Sequence, residues 1–369
     1  MEITKLNIPL EVRAVIVKLA GAGFEGYIVG GCVRDLVLGR VPSDWDIATN
    51  AMPEEIRNIF PESFYENKFF TVTVKTPRPP TADGARAEGS SAGADDPTLR
   101  EIEVTTFRSE GRYEDLRHPE EVKPAKTIEE DLSRRDFTVN ALALRLREEK
   151  TGNREQDVEL IDPFGGQEDL KRKVIRAVGN PAERFGEDAL RMLRAVRLAS
   201  TLDFAIDPAT REAIREHSRS LRAISKERIR DEFSKILMTG ADVPAERLGK
   251  DFGVLTDTRD ITAAERRAAA EHIGASRPWI GIELLHELGL LKEVVPELEE
   301  GIACTQNKHH TYTVWEHNLR ALDYAVRQSW PLAVRIGALF HDIAKPQAKR
   351  GEGPDSTFYG HDVLGAKMA

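Results

Sequence analysis

Beyond about residue 178 the chain carries almost no alternation of apolar and polar residues, whereas 69–75 and 102–107 alternate cleanly. Period-two alternation marks half-buried strands and a 3.6-residue period marks helices, so a sheet is confined to the front of the chain. The pattern predicts an α+β fold, a mixed sheet with helices followed by an all-helical remainder. At 369 residues the chain is too long for one hydrophobic core. The expected divisions are a head over 1–145, a helical neck over 146–240, a helical body over 241–300 and a last helical part over 301–369.

A helix is expected over 9–20, where Val12, Val15, Ile16 and Leu19 share one face. Tyr27-Ile28-Val29 reads as a strand stopped by Gly30-Gly31, followed by a helix over 33–38 that Gly39 ends, and Trp45-Asp46-Ile47 as a second strand. Residues 77–98, rich in Pro, Gly, Ala, Ser and Asp, are expected to be a surface insertion, since they bury too little to offset their ordering entropy. Helices are expected over 135–144, 182–200, 208–217, 226–238 and 279–291, with a second insertion over 242–277.

No stretch approaches the ~18 apolar residues that span a bilayer, and the N-terminus shows no export signal, so no membrane partner is expected. Two cysteines, Cys32 and Cys304, suit a reducing cytoplasm. The net charge of −9 argues against a nucleic-acid partner on average, but residues 171–231 hold fifteen Lys and Arg against nine Asp and Glu. That local surplus suits phosphate contacts, although solvated helix faces also produce it.

The densest chemistry is Gly30-Gly31-Cys32-Val33-Arg34-Asp35 followed by Asp44-Trp45-Asp46. Carboxylates at i and i+2 on a strand project from one face and can share one or two Mg²⁺ ions beside a triphosphate. Such a pair activates an attacking hydroxyl and neutralises a leaving pyrophosphate. Glycines let backbone N–H groups approach phosphate oxygens, and Arg34 can hold the β- or γ-phosphate. Taken alone, an Asp-x-Asp is most often a solvated turn. The upstream Gly-Gly and Arg-Asp favour catalysis.

These residues resemble the active-site signature of the DNA polymerase β-like nucleotidyltransferases. More closely, Val-Gly-Gly-Cys-Val-Arg-Asp-Leu-Val-Leu-Gly with Ser-Asp-Trp-Asp-Ile-Ala-Thr is similar to the first motif of class II CCA-adding tRNA nucleotidyltransferases and bacterial poly(A) polymerases. The resemblance implies a nucleotidyltransferase head with Asp44 and Asp46 as catalytic metal ligands, and tRNA, CTP and ATP as partners. It favours Glu103 as a third acid, although an exposed strand face accounts for Glu101 and Glu103 equally well. Ser133-Arg134-Arg135-Asp136-Phe137-Thr138-Val139-Asn140-Ala141 is similar to the family's second motif, implying ribose and phosphate contacts from Arg135 and Asp136 with Asn140 in support. A helix N-terminus capped by Ser133 is the plain alternative.

Asp188, Arg191, Arg194 and Arg197 recur every third residue as a polar stripe. Cytosine and adenine present an exocyclic amino donor beside a ring-nitrogen acceptor, whereas uracil and guanine present a carbonyl beside a ring N–H. An accepting Asp and a donating Arg would therefore admit CTP and ATP only. The stripe resembles the family's Glu-Asp-x-x-Arg motif, which assigns Glu187, Asp188 and Arg191 to the incoming base and leaves Arg194 and Arg197 as phosphate or base contacts. An i,i+3 salt-bridge ladder is the alternative. Residues 108–117 look like the flexible loop of enzymes that complete CCA, so addition of the final A is expected.

His317, His341-Asp342 and His361 are similar to the HD phosphohydrolase pattern, implying a possible second divalent-metal site. The sequence stops at Ala369 inside a predicted helix, before the pattern's final Asp, so a truncated, degenerate HD domain is expected. The rivals are a poly(A) polymerase, whose Gly-Arg-Arg-Phe-like element is not found in 50–74, and an HD-type phosphohydrolase with a nucleotide-binding front half. A non-catalytic tRNA-binding protein is disfavoured by the paired carboxylates.

Overall fold

The computed structural model describes residues 6–66, 70–77, 99–110, 122–147, 158–240, 262, 267, 274–308 and 310–368. Most of the insertions expected over 77–98 and 242–277, and most of the loop expected over 108–117, lie outside the described residues. The chain divides into two compact units, one of residues 1–114, 119–172 and 176–180 and another of 115–118, 173–175 and 181–369.

The first unit is built on a seven-stranded sheet. Its strands are β1 (Gly26–Val29), β2 (Asp46–Thr49), β3 (Ser63–Glu66), β4 (Thr71–Pro77), β5 (Leu99–Thr106), β8 (Ala143–Leu146) and β9 (Val158–Ile161), in the order β3-β4-β5-β2-β1-β8-β9. Only β2 and β5 run parallel; every other neighbouring pair is antiparallel. A small hairpin of β6 (Arg108–Glu110) and β7 (Val122–Pro124) follows β5. Helix α1 (Leu10–Gly21) buries Val12, Val15, Ile16 and Leu19, the face its spacing predicts. On one side of the sheet Tyr27, Val29, Ala48 and Ala143 pack with Phe107, Ile128 and Leu132. Two of these come from α4 (Ile128–Ser133), whose i,i+4 pair Ile128 and Leu132 anchors it beside the sheet.

One expected element is overturned. Residues 135–144 do not form a helix: α4 ends at Ser133, a 3₁₀ turn covers Thr138–Asn140, and β8 starts at Ala143. A short apolar run does not distinguish a buried helix from a strand with neighbours on both sides, and β8 lies between β1 and β9. Ser133 therefore closes one helix instead of capping the next.

Among its described residues the second unit is helical apart from the two-residue pairing of β10 (Val174–Ile175) with β11 (Ala205–Ile206) and an isolated bridge between Arg350 and Thr357. The helix expected over 182–200 is two helices, Pro181–Glu187 and Leu190–Leu202. The break falls at Asp188, whose side chain accepts a hydrogen bond from the Leu190 N–H at 3.0 Å. Leu190–Leu202 is buried on most sides and packs against Lys226–Leu237 and Arg277–Glu287. Gly281 permits that closeness, because a Cβ there would stand 2.7 Å from Ile236 Cγ2 and 3.0 Å from Ser200 Oγ. Buried Arg335 joins the helix Leu332–Phe340 to the end of Lys226–Leu237, donating to the carbonyls of Trp330 and Leu237.

Candidate active site

Strand β1 delivers the chain into Gly30, whose φ of +82° suits a residue without Cβ. A Cβ at Gly30 would meet Arg135 Nη1 at 2.8 Å and Asp46 Oδ2 at 3.5 Å, so the glycine also leaves room for two functional side chains. Helix α2 (Gly31–Val37) follows, and its Arg34 pairs with Asp35 through Nε and Nη2, both at 2.9 Å. Arg34 Nη1 donates to Asn140 Oδ1 at 2.8 Å, and Asn140 Nδ2 donates in turn to Asp136 Oδ1 at 3.4 Å. The residues expected from two distant motifs, Gly30, Gly31 and Arg34 with Arg135, Asp136 and Asn140, therefore come together in one unit.

The paired aspartates differ from the expectation in one respect. β2 begins at Asp46, so Asp44 stands in the preceding bend, exposed, with Ser43 Oγ donating to its Oδ2 at 3.0 Å. The antiparallel ladder ends at Val29↔Asp46 because the partner strand turns away at Gly30. Across the parallel pair Asp46 lies in register with Glu103. Burial and the neighbouring charge of Glu103, with a smaller push from Asp44, raise the Asp46 carboxyl to about 6, against the opposing pull of Arg135. Glu101, by contrast, lies in register with Lys75 and sits 3.8 Å from its Nζ. Asp46 and Glu103 offer the carboxylate oxygens that hard divalent cations prefer, while Asp44 stands outside the strand in the bend before it.

Sequence reasoning missed Asp131. Its carboxylate is 1% exposed and takes Arg134 at 2.9 and 3.1 Å on Oδ1 and Arg135 Nη2 at 3.2 Å on Oδ2. Burial alone would raise this carboxyl, but the two guanidinium groups outweigh it and hold it below its ordinary value. The available signal was an acid three and four residues ahead of two arginines, the spacing of neighbours on a helix.

In the second unit Asp188 accepts a fork from Arg228, at 2.8 Å to Oδ2 and 3.4 Å to Oδ1. Arg191, buried, donates to Glu187 Oε2 at 2.6 Å and to the Arg184 carbonyl at 3.3 Å. Arg197 pairs with buried Glu232 at 2.7 Å, and Arg194 lowers the same carboxylate's affinity for a proton. Asp188 and Arg197 are thus tied across to Lys226–Leu237, the helix that supplies Arg228 and Glu232, whereas Arg191 pairs with Glu187 one turn back. Arg228 had no signal in the sequence beyond being one of many cations.

Further along, His317, His341, Asp342 and His361 converge. His317 Nε2 and His341 Nε2 are 3.0 Å apart, each lies 3.3 Å from Asp342 Oδ2, and His361 Nε2 is 3.3 Å from Asp342 Oδ1. Nδ1 of His341 contacts the Ala338 carbonyl at 2.9 Å and Nδ1 of His361 the Phe358 carbonyl at 2.6 Å. A proton on Nδ1 in such a contact leaves Nε2 free for a metal. The two imidazoles of His317 and His341 with the Asp342 carboxylate fit a borderline divalent cation, and His361 stands beside them on the other carboxylate oxygen. Lys345 Nζ also reaches Asp342 at 2.7 Å. Burial would raise Asp342, but bonds from His341 and Lys345 hold it far below the usual carboxylate range.

Residues 26–176 match the family described as Poly A polymerase head domain, and 203–255 that described as probable RNA and SrmB-binding site of polymerase A. The CCA-adding enzyme of Limosilactobacillus reuteri is 46% identical over 226 residues, 61% of this chain and 49% of that protein. That of Listeria monocytogenes is 44% identical over 232 residues, 62% of this chain and 50% of the relative. The crystal structure of the Bacillus stearothermophilus CCA-adding enzyme in complex with CTP is similar at 30% identity and a TM-score of 0.51, covering 89% of this chain and 80% of that one. The chain belongs to the CCA-adding enzyme family. It spans about half the length of the curated family members it matches. Within the family's head match lie the glycine turn and all three candidate acids; Arg228 falls within the RNA-binding match. Among the described residues no helix is long and apolar enough to cross a membrane.

Proposed function

We propose that this chain adds C, C and A to the 3′ end of tRNA, taking CTP and ATP and releasing pyrophosphate. The observation that carries the reading is the register of Asp46 with Glu103 beside a glycine turn, in a chain similar to CCA-adding enzymes. On this reading Asp44 and Asp46 hold divalent cations, Mg²⁺ among them, with Glu103 alongside. When bound, the ions supply charge neutralisation and activation of the attacking hydroxyl. Arg135 donates to ribose or phosphate beside the Gly30 turn, and the Asp136–Asn140–Arg34 chain of hydrogen bonds keeps Arg34 in one orientation for the triphosphate.

Base choice falls to Asp188 and Arg191. The Arg228 fork orients the Asp188 carboxyl, and Glu187 fixes the plane of the Arg191 guanidinium. Two aligned hydrogen bonds then select an amino group next to a ring nitrogen. The RNA grip is supported by a cleft of about 390 Å³ in the helical unit, where Arg215, Arg219, Arg222 and Lys292 outnumber Glu216 and Glu293. Buried Glu287 and Glu293 anchor Arg215 and Arg222 from below, while Arg219 and Lys292 are exposed to solvent. A cytoplasmic location accords with the free thiols of Cys32 and Cys304.

The test is incubation with tRNA lacking its last three nucleotides and each NTP separately, products being sized to one nucleotide. Two C followed by one A supports the proposal; a long A tract supports a poly(A) polymerase. Asp44→Ala and Asp46→Ala should each abolish incorporation. The cluster of His317, His341, Asp342 and His361 favours a further reading, a divalent-metal site of HD type. Calorimetric titration with Mn²⁺ checks it: heat in the wild type that His341→Ala removes supports the site, and no heat in either refutes it.

A further inference from the structure

We propose that Asp131 is a positioning residue for nucleotidyl transfer, its carboxylate setting the Arg135 guanidinium against the glycine turn and tying down the end of the strand that carries Glu103. The inference rests on the function proposed above, because the group it places is the one assigned to the nucleotide. It concerns a residue that belongs to neither the catalytic acids nor the phosphate-binding turn.

Three segments meet at this one side chain. Asp131 sits in the last turn of α4, which Ile128 and Leu132 lock into the core, so its backbone has little freedom to move. Oδ1 accepts the fork of Arg134, and the same oxygen takes the backbone N–H of Arg108 at 3.3 Å. Arg108 opens β6 directly after Phe107, which follows the last residue of β5, the strand of Glu103. Oδ2 takes Arg135 Nη2 at 3.2 Å.

The guanidinium of Arg135 then acts as a rigid spacer. It is planar, so fixing Nη2 on Asp131 and Nη1 near the Asn140 carbonyl at 3.5 Å fixes both its place and its plane. Nη1 is the atom that a Cβ at Gly30 would strike at 2.8 Å, and the same charge bears on Asp46. Nε of Arg135, shielded from solvent, has no hydrogen-bond partner, so a donor remains for a ligand. Without the carboxylate, Arg134 and Arg135 would be adjacent guanidinium groups with like charge and no shared anion. Arg135, the one beside the turn, would lose the bond that holds its Nη2.

A purely structural role predicts something different, and a double-mutant cycle separates the two. Asp131→Asn keeps the size and one acceptor while removing the charge. Losing a charge-assisted hydrogen bond to Arg135 should lower kcat/KM for CTP and ATP about tenfold to a hundredfold, mainly through KM. In the Arg135→Ala background the same change should cost less than about twofold, whereas in an Arg134→Ala background the loss should persist. A full, additive loss in the Arg135→Ala background overturns the proposal, as does a lower melting temperature with unchanged KM. The cycle is also read on calorimetric affinity for ATP and CTP. Wild-type protein that binds nucleotide yet extends no tRNA refutes the proposed activity and leaves the Asp131 coupling measurable.

Discussion

Asp46→Asn should make the metal-free protein more stable while removing its activity. The Asp46 carboxyl stands at about 6 against an ordinary 3.8, which corresponds to about 3 kcal/mol as an upper bound. The sign follows from which state binds the proton more tightly. Below pH 3.8 Asp46 is protonated in both the folded and unfolded chain and costs nothing. Between about 4 and about 6 the unfolded chain releases the proton first, so folded stability falls as pH rises, and above about 6 the whole penalty stands. Asparagine carries no charge to bury and should recover most of it at pH 7. Hydrogen exchange of the β2 and β5 amides in EDTA is the assay, and protection should rise by up to about a hundredfold in the variant at pH 7 and converge with wild type near pH 4. Adding a divalent cation should stabilise wild type alone, since only the charged site binds it. Equal protection of the two proteins at pH 7 would refute the claim that burial and the charge of Glu103 raise Asp46.

Arg191→Ala should let UTP and GTP be incorporated, with a smaller effect on triphosphate affinity; continued exclusion of both in single-nucleotide extension would sink the assignment of base choice. Arg219→Glu with Lys292→Glu should weaken tRNA binding and flatten its dependence on log salt by roughly 0.7–0.9 per lost phosphate contact, measured by filter binding from low to high salt. Gly30→Ala should destabilise the first unit by about 1–3 kcal/mol through its positive φ and push Arg135 aside, so nucleotide KM should rise along with the drop in melting temperature.

Much of this was legible in advance because local patterns and local chemistry coincide. The alternation in 102–107 marked a strand, and a strand is what brings Glu103 within reach of Asp46, although nothing in the spacing of residues 46 and 103 disclosed their parallel register. The imidazoles of His317, His341 and His361 were recognisable as a set, and helices bring them around Asp342. What escaped was decided by neighbours distant in the chain. The run 135–144 reads as helical until β1 and β9 flank it, and the stripe from Asp188 reads as continuous although the helix breaks there. Arg228 and Asp131 are ordinary charged residues by type. Only the fold shows that each is locked onto a group assigned to the nucleotide.

The hairpin of β4 and β5 has a consequence for how such chains diversify. Seven paired positions, from Thr71↔Thr105 to Pro77↔Leu99, hold Glu103 in place before the chain departs at residue 77 and returns at 99. Doubling the length of such a connection costs only about 0.6 kcal/mol in closure entropy. Evolution is therefore free to lengthen, prune or rewrite that stretch, and a tight turn in its stead should leave the third acid where the chemistry wants it.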